Sequence, residues 1–451
     1  MNRNAIIPLR ISTMFSCLRL SKSTSRRLTS KYSERRAKLM SSLPASAVVV
    51  LVGNPTTFAT QKIFNPFQQN TDFLYMTGLD EPDCVAVLEN LPNGQHRYTL
   101  FLEDRPHYEV RWSGPATGRE LATSVFGADQ AYPNSAFHPY FKQLQADKAK
   151  DRSAVMYLDP PASLVSGHLH PAHMTPSSGA SHPTSSSGGS GGKPWWRAVI
   201  SADAPPTRPI SPLIQKMRAV KSVAEIEVMA TAGRVSGESF AVAMAECPRL
   251  STEHQLEAVL QYNFKMRGAT DHAYVPVVAG GSNACILHYV NNDMQLNTGD
   301  LVLVDAGGQY GHYAADISRT FPINGRYTQP QRDLYQAVLN VQMECIDMIS
   351  TSVSLDEVHH KSITLMTREL NALGFDVNEQ VVARDLYFHH LGHFWLEPGT
   401  CVYVSADARF PSKYHGIGIR IEDNIVVTRE GRRVLTTAAP KLVSDIESLT
   451  R

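Results

Sequence analysis

The sequence has little cysteine and no long apolar run. Its 451 residues include six cysteines, and no two of them form a Cys-x-x-Cys pair. A disulfide-stapled fold is therefore excluded, and free thiols in a reducing compartment are expected. No apolar stretch approaches the ~20 residues that a membrane span requires, so no transmembrane segment is predicted. Apolar residues nevertheless make up 43% of the chain. That length and composition exclude a disordered or collagen-like protein and predict about two or three domains with buried cores.

Acidic residues are almost absent from the first 40 positions. Residues 1–40 contain ten Lys or Arg against one acid, Glu34, so this segment has a net charge of +9 and the remainder has −8, for the total of +1. A mildly acidic body argues against nucleic acid as a main partner. The basic segment is rich in Ser and Thr with interspersed apolar residues, which is typical of a mitochondrial presequence and predicts import into the matrix. A disordered basic tail is the alternative.

The first folded part of the chain has the pattern of an α/β domain. Short apolar runs bounded by turn residues predict three buried strands, at residues 45–53, 83–89 and 98–102. Amphipathic stretches lie between such strands. Residues 41–161 are therefore predicted to form the amino-terminal domain.

Residues 162–193 interrupt that domain with a stretch composed mostly of Ser, Gly, His and Pro. Such a composition buries too little apolar surface to offset the entropy of ordering, which predicts a flexible insertion. The stretch contains four histidines, His168, His170, His173 and His182. A solvated linker is the favoured interpretation over a metal site, because nothing in the stretch fixes ligand geometry. Residues 194–207 are expected to complete the domain and link it to the next.

Residues 208–451 are predicted to form an α+β domain. Ser222 with Glu225 and Ser354 with Glu357 form capping boxes, each at the start of a helical periodicity. Helices are predicted at residues 222–244, 328–349 and 354–373. Strands are predicted at residues 300–307, 313–321 and 416–427. Their connections favour antiparallel pairing.

Two of those strands bring acidic residues together. The stretch LVLVDAGGQYGHYAADISRTF alternates into a glycine-rich turn and returns, which predicts a hairpin. With the turn centred between Tyr310 and Gly311, Asp305 lies opposite Asp316, with Cβ atoms roughly 5 Å apart. Carboxylates held so close repel, and either a proton or a bridging divalent metal relieves the repulsion. The alternative is that one Asp caps the turn and the other faces solvent.

The strand in GIGIRIEDNIVV has an unusual polar face. Three isoleucines point to one side, while Gly418, Arg420 and Glu422 point to the other. A core strand rarely carries Arg and Glu on one face unless that face lines a site. The alternative is a solvent-facing ion pair on an edge strand.

Four histidines accompany these acids. His288 lies in ILHYVNND, while His389, His390 and His393 lie in FHHLGHFW. A single histidine beside apolar residues is more often a core residue. Four of them together with three acids on glycine-flanked strands favour a functional site.

The stretches AGGSNACILHY, GDLVLVDAGGQYGHYAADISRTFPINGRYTQPQRDLY, FHHLGH and YHGIGIRIEDNIVVT carry a family resemblance. They resemble the aminopeptidase P and creatinase family of pita-bread metallopeptidases, and the match is closest to mitochondrial members. The stretch FNPFQQNTDFLYMTGLDEPDCVAVLEN resembles the amino-terminal domain of the aminopeptidase P group. This resemblance implies a pita-bread catalytic domain preceded by a creatinase-like α/β domain.

The resemblance also implies a chemistry. The family binds two divalent ions, commonly manganese, through two Asp, one His and two Glu. Positions matching those ligands are Asp305, Asp316, His393 and Glu422. Positions matching residues that act on the substrate or lie beside the metals are His288, His389 and Arg420. The implied reaction is release of one amino-terminal residue from a peptide or an imported protein, and the resemblance leaves homo-oligomer formation open.

The sequence departs from the family pattern after His393. Phe394, Trp395 and LEPG follow at once, so a family segment that includes a second functional histidine is missing. Glu397 is either the fourth acidic ligand or part of an upstream LEPG turn, in which case that ligand is absent. Two interpretations remain: an active metallo-aminopeptidase, or a catalytically impaired homologue acting as a binding or assembly protein. Loss of a ligand usually costs orders of magnitude in rate.

Overall fold

The computed structural model describes residues 22–60, 62–105, 107–159, 206–386, 400–404 and 407–450. The predicted insertion with its four histidines lies outside these ranges, as do His389, His390, His393 and Glu397. The chain divides into two compact units, one formed by Lys22–Val220 and the other beginning at Lys221.

The first unit is built on a mixed six-stranded sheet. Its strands are β1 (Val48–Val52), β2 (Val85–Asn90), β3 (His96–Leu102), β4 (Gln130–Pro133), β5 (Met156–Leu158) and β6 (Thr207–Arg208). Their order in the sheet is β4-β3-β2-β1-β5-β6. β1 pairs with β2 antiparallel and with β5 parallel. The three strands predicted from the sequence are β1, β2 and β3.

Helices cover both faces of this sheet. They are α1 (Lys22–Ser41), α2 (Thr71–Thr77), α3 (His107–Ser113), α4 (Gly118–Ser124), α5 (Phe137–Lys148) and α6 (Ser211–Ala219). Val49 and Leu51 of β1 face a core shared with α1, α2 and α6, while Val48 and Val50 face a second core shared with α5. The continuous apolar sequence of β1 follows from burial on both sides.

The end of the predicted presequence is part of this unit. Leu39 and Met40 of α1 are each 1% exposed. Arg36 is also buried, with its guanidinium 4.0 Å from the centre of the Tyr98 ring and donating to the carbonyl of Met76. A charge count does not distinguish arginines in solvent from arginines that stack on aromatic rings. The folded unit therefore begins before residue 41.

The first unit also extends beyond residue 208, where the sequence places the start of the second domain. β6 pairs with β5, and Ile214 of α6 is fully buried in the core shared with α1 and α2. The units divide between Val220 and Lys221.

The second unit contains five helices of six residues or more among the described residues. They are α7 (Val223–Glu246), α8 (Glu253–Met266), α9 (Gln329–Met348), α10 (Leu355–Ala372) and α12 (Val443–Ser448), with the short turn α11 (Glu379–Val381) between the last two. The predicted capping boxes of α7 and α10 are confirmed. α8 was not predicted from the sequence.

The strands of the second unit pair antiparallel, as predicted. They are β7 (Val277–Gly280), β8 (Leu301–Ala306), β9 (Gln309–Tyr310), β10 (Tyr313–Ala314), β11 (Ile317–Pro322), β12 (Thr400–Val404), β13 (Ile417–Ile421), β14 (Ile425–Thr428) and β15 (Gly431–Val434). β8 lies between β7 and β11, and β12 pairs with β13. A bridge between Ser318 and Glu422 connects β11 to the end of β13. None of the helices in the described ranges is both long and apolar enough to cross a membrane.

Candidate metal centre

The hairpin that carries the two aspartates is confirmed, but its register differs from the prediction. Tyr310 pairs with Tyr313, so the turn is centred between Gly311 and His312. Both turn residues have positive φ, 55° for Gly311 and 67° for His312. Tight hairpins favour such turns because their twist matches that of the strands. Asp305 consequently lies opposite Ser318 rather than opposite Asp316.

The shifted register keeps the two aspartates on one face of the hairpin. Asp316 lies across from Gly307 instead of Asp305, a change of two positions, and strand side chains repeat every two residues. The aspartates are therefore diagonal neighbours. Gly307 is required here, because a Cβ at this position would collide with the carbonyl oxygen of Ala315. The backbones at Gly307 and Ala315 approach closely. Asp316, which lies in the chain between β10 and β11, is therefore close enough for its carboxylate to lie within 4.8 Å of that of Asp305.

Glu422 completes a cluster of three carboxylates. Asp305, Asp316 and Glu422 each present one oxygen, and these oxygens lie within 4.8 Å of one another. Glu422 is 2% exposed and lies just after β13. Three carboxylates so close together repel unless a proton or a cation lies among them.

Arg420 connects this cluster to the surrounding structure. Its Nη2 lies 2.5 Å from Oδ2 of Asp305, and its Nη1 donates to the hydroxyl of Tyr403 at 3.0 Å. The Arg420 side chain is 1% exposed. A solvent-facing ion pair on an edge strand, the alternative considered from the sequence, is therefore wrong for Arg420 and Glu422, which are both buried.

Ser318 links Arg420 to Glu422. Its Oγ accepts a hydrogen bond from Nε of Arg420 at 3.0 Å and donates one to Oε2 of Glu422 at 2.8 Å. This hydroxyl orients one oxygen of the glutamate while the guanidinium orients Asp305. The pairing of Ser318 opposite Asp305 places the hydroxyl there.

Tyr274 was not identified from the sequence, yet it contacts both aspartates. Its hydroxyl lies 2.6 Å from Oδ1 of Asp305 and 2.6 Å from Oδ1 of Asp316. Burial first, and then the two carboxylates, raise the pKa of Tyr274 well above its ordinary value, so the hydroxyl keeps its proton. The single hydroxyl proton of Tyr274 is thus shared between the carboxylates of Asp305 and Asp316. Tyr274 precedes β7 outside any motif, and no periodicity in the sequence marks it.

The electrostatics and the donor set fit a divalent cation. Burial raises the pKa of Glu422 to about 7, against the attraction of Arg420 and with the repulsion of Asp305. A buried carboxylate of this kind is stabilised when a cation joins it. Carboxylate oxygens suit hard divalent ions such as Mn²⁺. Asp305, Asp316 and Glu422 can hold such an ion, and in the described part of the chain they form the one cluster of at least three His, Cys, Asp or Glu with this geometry.

His288 lies in a surface turn. It follows the 3₁₀-helix Gly281–Cys285 and is exposed. The preceding residue, Leu287, accepts a hydrogen bond from Nη1 of Arg420 at 3.2 Å through its carbonyl. The backbone at His288 is thus connected to the guanidinium that holds Asp305. The structure does not describe His389, His393 or Glu397.

Comparison with known proteins gives two family matches. Residues 227–429 match Metallopeptidase family M24, and residues 32–153 match the amino-terminal domain of aminopeptidase P. The second match begins within α1, in agreement with the burial of its final turns.

Curated relatives and solved structures match over most of their length. Intermediate cleaving peptidase 55 of Saccharomyces cerevisiae is 35% identical, covering 93% of this chain and 83% of the relative. Xaa-Pro aminopeptidase 3 of Homo sapiens is 32% identical, covering 93% and 85%. The crystal structure of Saccharomyces cerevisiae Icp55 superposes with a TM-score of 0.79 at 31% identity, covering 94% of this chain and 97% of the other. Aminopeptidase P of Escherichia coli gives 0.80 at 28% identity, covering 93% and 98%.

Proposed function

Since the chain belongs to metallopeptidase family M24 and is a metallo-aminopeptidase of the Xaa-Pro and Icp55 type, we propose that it releases one amino-terminal residue at a time using two divalent ions. Manganese is the proposed metal. The proposed substrates are the amino termini of peptides or of proteins imported into the mitochondrial matrix. The observation that carries the proposal is the convergence of Asp305, Asp316 and Glu422.

The proposed ligands come from two sources. Asp305, Asp316 and Glu422 form the described cluster, and their carboxylates suit a hard divalent cation. His393 and Glu397 are added by the family resemblance alone. Divalent ions held by these residues would supply Lewis acidity for hydrolysis of the peptide bond.

The surrounding side chains have supporting roles in this proposal. Arg420 and Tyr274 hold the carboxylate of Asp305, so that its oxygens keep a fixed direction. Ser318 does the same for Glu422. Hydrogen bonds to ligands of this kind commonly tune metal affinity and activity. His288 and His389 are proposed to contact the substrate near the scissile bond.

The mitochondrial location is proposed from the basic first segment and from the likeness to intermediate cleaving peptidase 55 of yeast. The folded unit includes Arg36, Leu39 and Met40, so we propose that removal of a presequence occurs before these residues. Sequencing the amino terminus of the protein isolated from mitochondria tests both statements. A mature chain that begins after Met40 would contradict the second.

Peptide release tests the proposed activity. The protein is incubated with an Xaa-Pro peptide and with a peptide that begins with Tyr or Leu, with manganese added and with chelator. Release of a single residue that chelator abolishes is expected. Comparing the two peptides decides between cleavage before proline and trimming of bulky terminal residues.

Metal content separates this function from the impaired alternative. Two manganese ions per chain are expected, and Asp316→Asn is expected to lose metal, because it removes a carboxylate from the cluster. Asp445→Asn is the matched control, since Asp445 is exposed on α12. Folded protein that binds no metal and releases no residue would support the catalytically impaired homologue instead.

A further inference from the structure

A buried glutamate outside the carboxylate cluster has no role in the function proposed above. Glu253 is the first residue of α8 and is 0% exposed. Burying a carboxylate is costly unless hydrogen bonds stabilise its charge. The contacts of Glu253 show what it holds.

The two oxygens of Glu253 accept four hydrogen bonds from one segment of chain. Oε1 accepts from the backbone N–H of Gly280 at 2.7 Å and from the side-chain amide of Asn283 at 3.0 Å. Oε2 accepts from the hydroxyl of Tyr289 at 2.8 Å and from the backbone N–H of Met294 at 2.9 Å. These donors are distributed along residues 280–294. We call residues 281–294 the histidine loop because they include His288.

All four of these donors are uncharged. Burial, followed by the hydrogen bond to Glu253, raises the pKa of Tyr289 to about 12, so at neutral pH its hydroxyl is a donor. The position of Glu253 in the first turn of α8 is also favourable for an anion, because the N–H groups at a helix start carry partial positive charge. The side chain of Glu253 therefore has four neutral donors around it and lies at a favourable helix end.

A second glutamate of the same helix holds the far end of the histidine loop. Oε2 of Glu257, one turn after Glu253, accepts from the side-chain amide of Asn292 at 2.9 Å. The same amide donates to the carbonyl of Pro276, and its oxygen accepts from Val278. Residues one helical turn apart share a face, so one side of α8 anchors the loop.

The histidine loop in turn packs against β13, the strand that carries Arg420. A Cβ on Gly418 would collide with the carbonyl of Ala284, so the loop lies directly on the strand that carries Arg420. Leu287 of the loop accepts from Arg420 at 3.2 Å. A movement of the loop therefore displaces His288 and removes a partner of Arg420.

We propose that Glu253 is a positioning residue for catalysis, which fixes the histidine loop so that His288 faces the reacting bond. This inference rests on the proposed function, and it assigns Glu253 no contact with substrate or metal. Its oxygens are directed at the loop, so its effect on catalysis passes through the position of the loop that carries His288.

The substitution Glu253→Gln tests this assignment with little change in side-chain shape. The glutamine has an NH₂ group in place of one carboxylate oxygen. Donors of the loop that bond to that oxygen in the wild type then face another donor and lose their acceptor. We expect kcat for peptide release to fall roughly 10- to 100-fold at nearly constant KM, as for other supporting groups of metal sites. Tyr289→Phe removes one of the four hydrogen bonds and is expected to have the same effect in milder form. Glu238→Gln is the control, because Glu238 pairs on the surface with Arg234.

A double-mutant cycle separates positioning from general destabilisation. If Glu253 acts through His288, then Glu253→Gln is expected to lower activity little further in a His288→Ala background. A full additive loss in that background would overturn the proposal, as would a kcat that is unchanged in both Glu253→Gln and Tyr289→Phe.

Amide hydrogen exchange of metal-free protein provides a readout that is independent of activity. Faster exchange confined to residues 281–294 is expected in Glu253→Gln. Exchange that is unchanged in the loop would overturn the proposal even if activity falls. If the wild-type protein releases no residue in any assay, the proposed function fails, and the exchange result still decides whether Glu253 holds the loop.

Discussion

Replacing Tyr274 by Phe would test how the carboxylate cluster is held together. The hydroxyl lies 2.6 Å from an oxygen of Asp305 and 2.6 Å from an oxygen of Asp316, and the side chain is half-buried. Phe keeps the ring and removes only this oxygen. The two aspartates then lose a shared donor, and their mutual repulsion has one fewer opposing interaction.

The Tyr274 hydroxyl has a single proton, so its removal eliminates one hydrogen bond to the aspartates. One charge-assisted hydrogen bond is lost, which is worth about 1.5–3 kcal/mol. Hydrogen bonds to metal ligands fix the direction of those ligands, so losing this one is expected to raise the dissociation constant for Mn²⁺ roughly 10- to 100-fold. In metal-free protein the same loss is expected to lower Tm by roughly 3–12 °C, as for a unit of about 150–250 residues.

Two assays measure these effects separately. Competition with a calibrated chelator gives the dissociation constant for Mn²⁺, and thermal unfolding in chelator gives Tm without metal. Tyr262→Phe is the matched control, because Tyr262 on α8 is 63% exposed. If Tyr274→Phe binds Mn²⁺ as tightly as the wild type and melts at the same temperature in chelator, the hydroxyl does not hold the aspartates and the reasoning is refuted.

Three further predictions follow from burial and contact. Leu39→Ala is expected to cost about 2–5 kcal/mol in the free energy of unfolding, because Leu39 is buried within α1; denaturant unfolding measures it, and the exposed neighbour Lys38→Ala should stay within about 0.5 kcal/mol of wild type. Gly418→Ala is expected to lower both Tm and activity, since the new methyl group collides with the carbonyl of Ala284; unchanged activity would contradict the packing of the histidine loop on β13. Burial alone would raise the pKa of Glu447, but hydrogen bonds from an arginine and a backbone N–H hold it below the usual 4.5. The ionised form of Glu447 therefore stabilises the fold above pH 4.5, and this stabilisation is lost as the pH falls. In thermal unfolding across the acidic range, Tm should fall less steeply with decreasing pH for Glu447→Gln than for the wild type.

For the hairpin that carries Asp305 and Asp316, the sequence predicted which side chains share a face, but it did not predict the register. Alternation around a two-residue turn places Asp305 and Asp316 on one face, and this is what the structure has. The register depends on which residues adopt positive φ, and His312 does so at 67° where the sequence favoured a turn one position earlier. The prediction was therefore wrong about the opposing pair and right about the shared face.

The family and three helices of the second unit, α7, α9 and α10, were also accessible from the sequence. Capping boxes at Ser222 and Ser354 mark helix starts because a side chain and a backbone N–H three residues apart satisfy each other locally. The motifs around the two aspartates and Glu422 led to the family that the comparisons show. Local chemistry of this kind is carried by neighbouring residues and needs no tertiary information.

Local sequence patterns were sufficient to identify the family, the helices α7, α9 and α10, and the acids that converge. The groups that hold those acids in place come from distant parts of the chain and follow from the fold. Tyr274 reaches Asp305 across 31 residues of chain, and Ser318 reaches Glu422 across 104. Glu253 reaches Tyr289 across 36. Such contacts depend on how strands and helices pack, and packing brings together residues that no local pattern relates. The same kind of packing places Leu39 and Met40, at the end of the basic amino-terminal segment, in the core of the first unit.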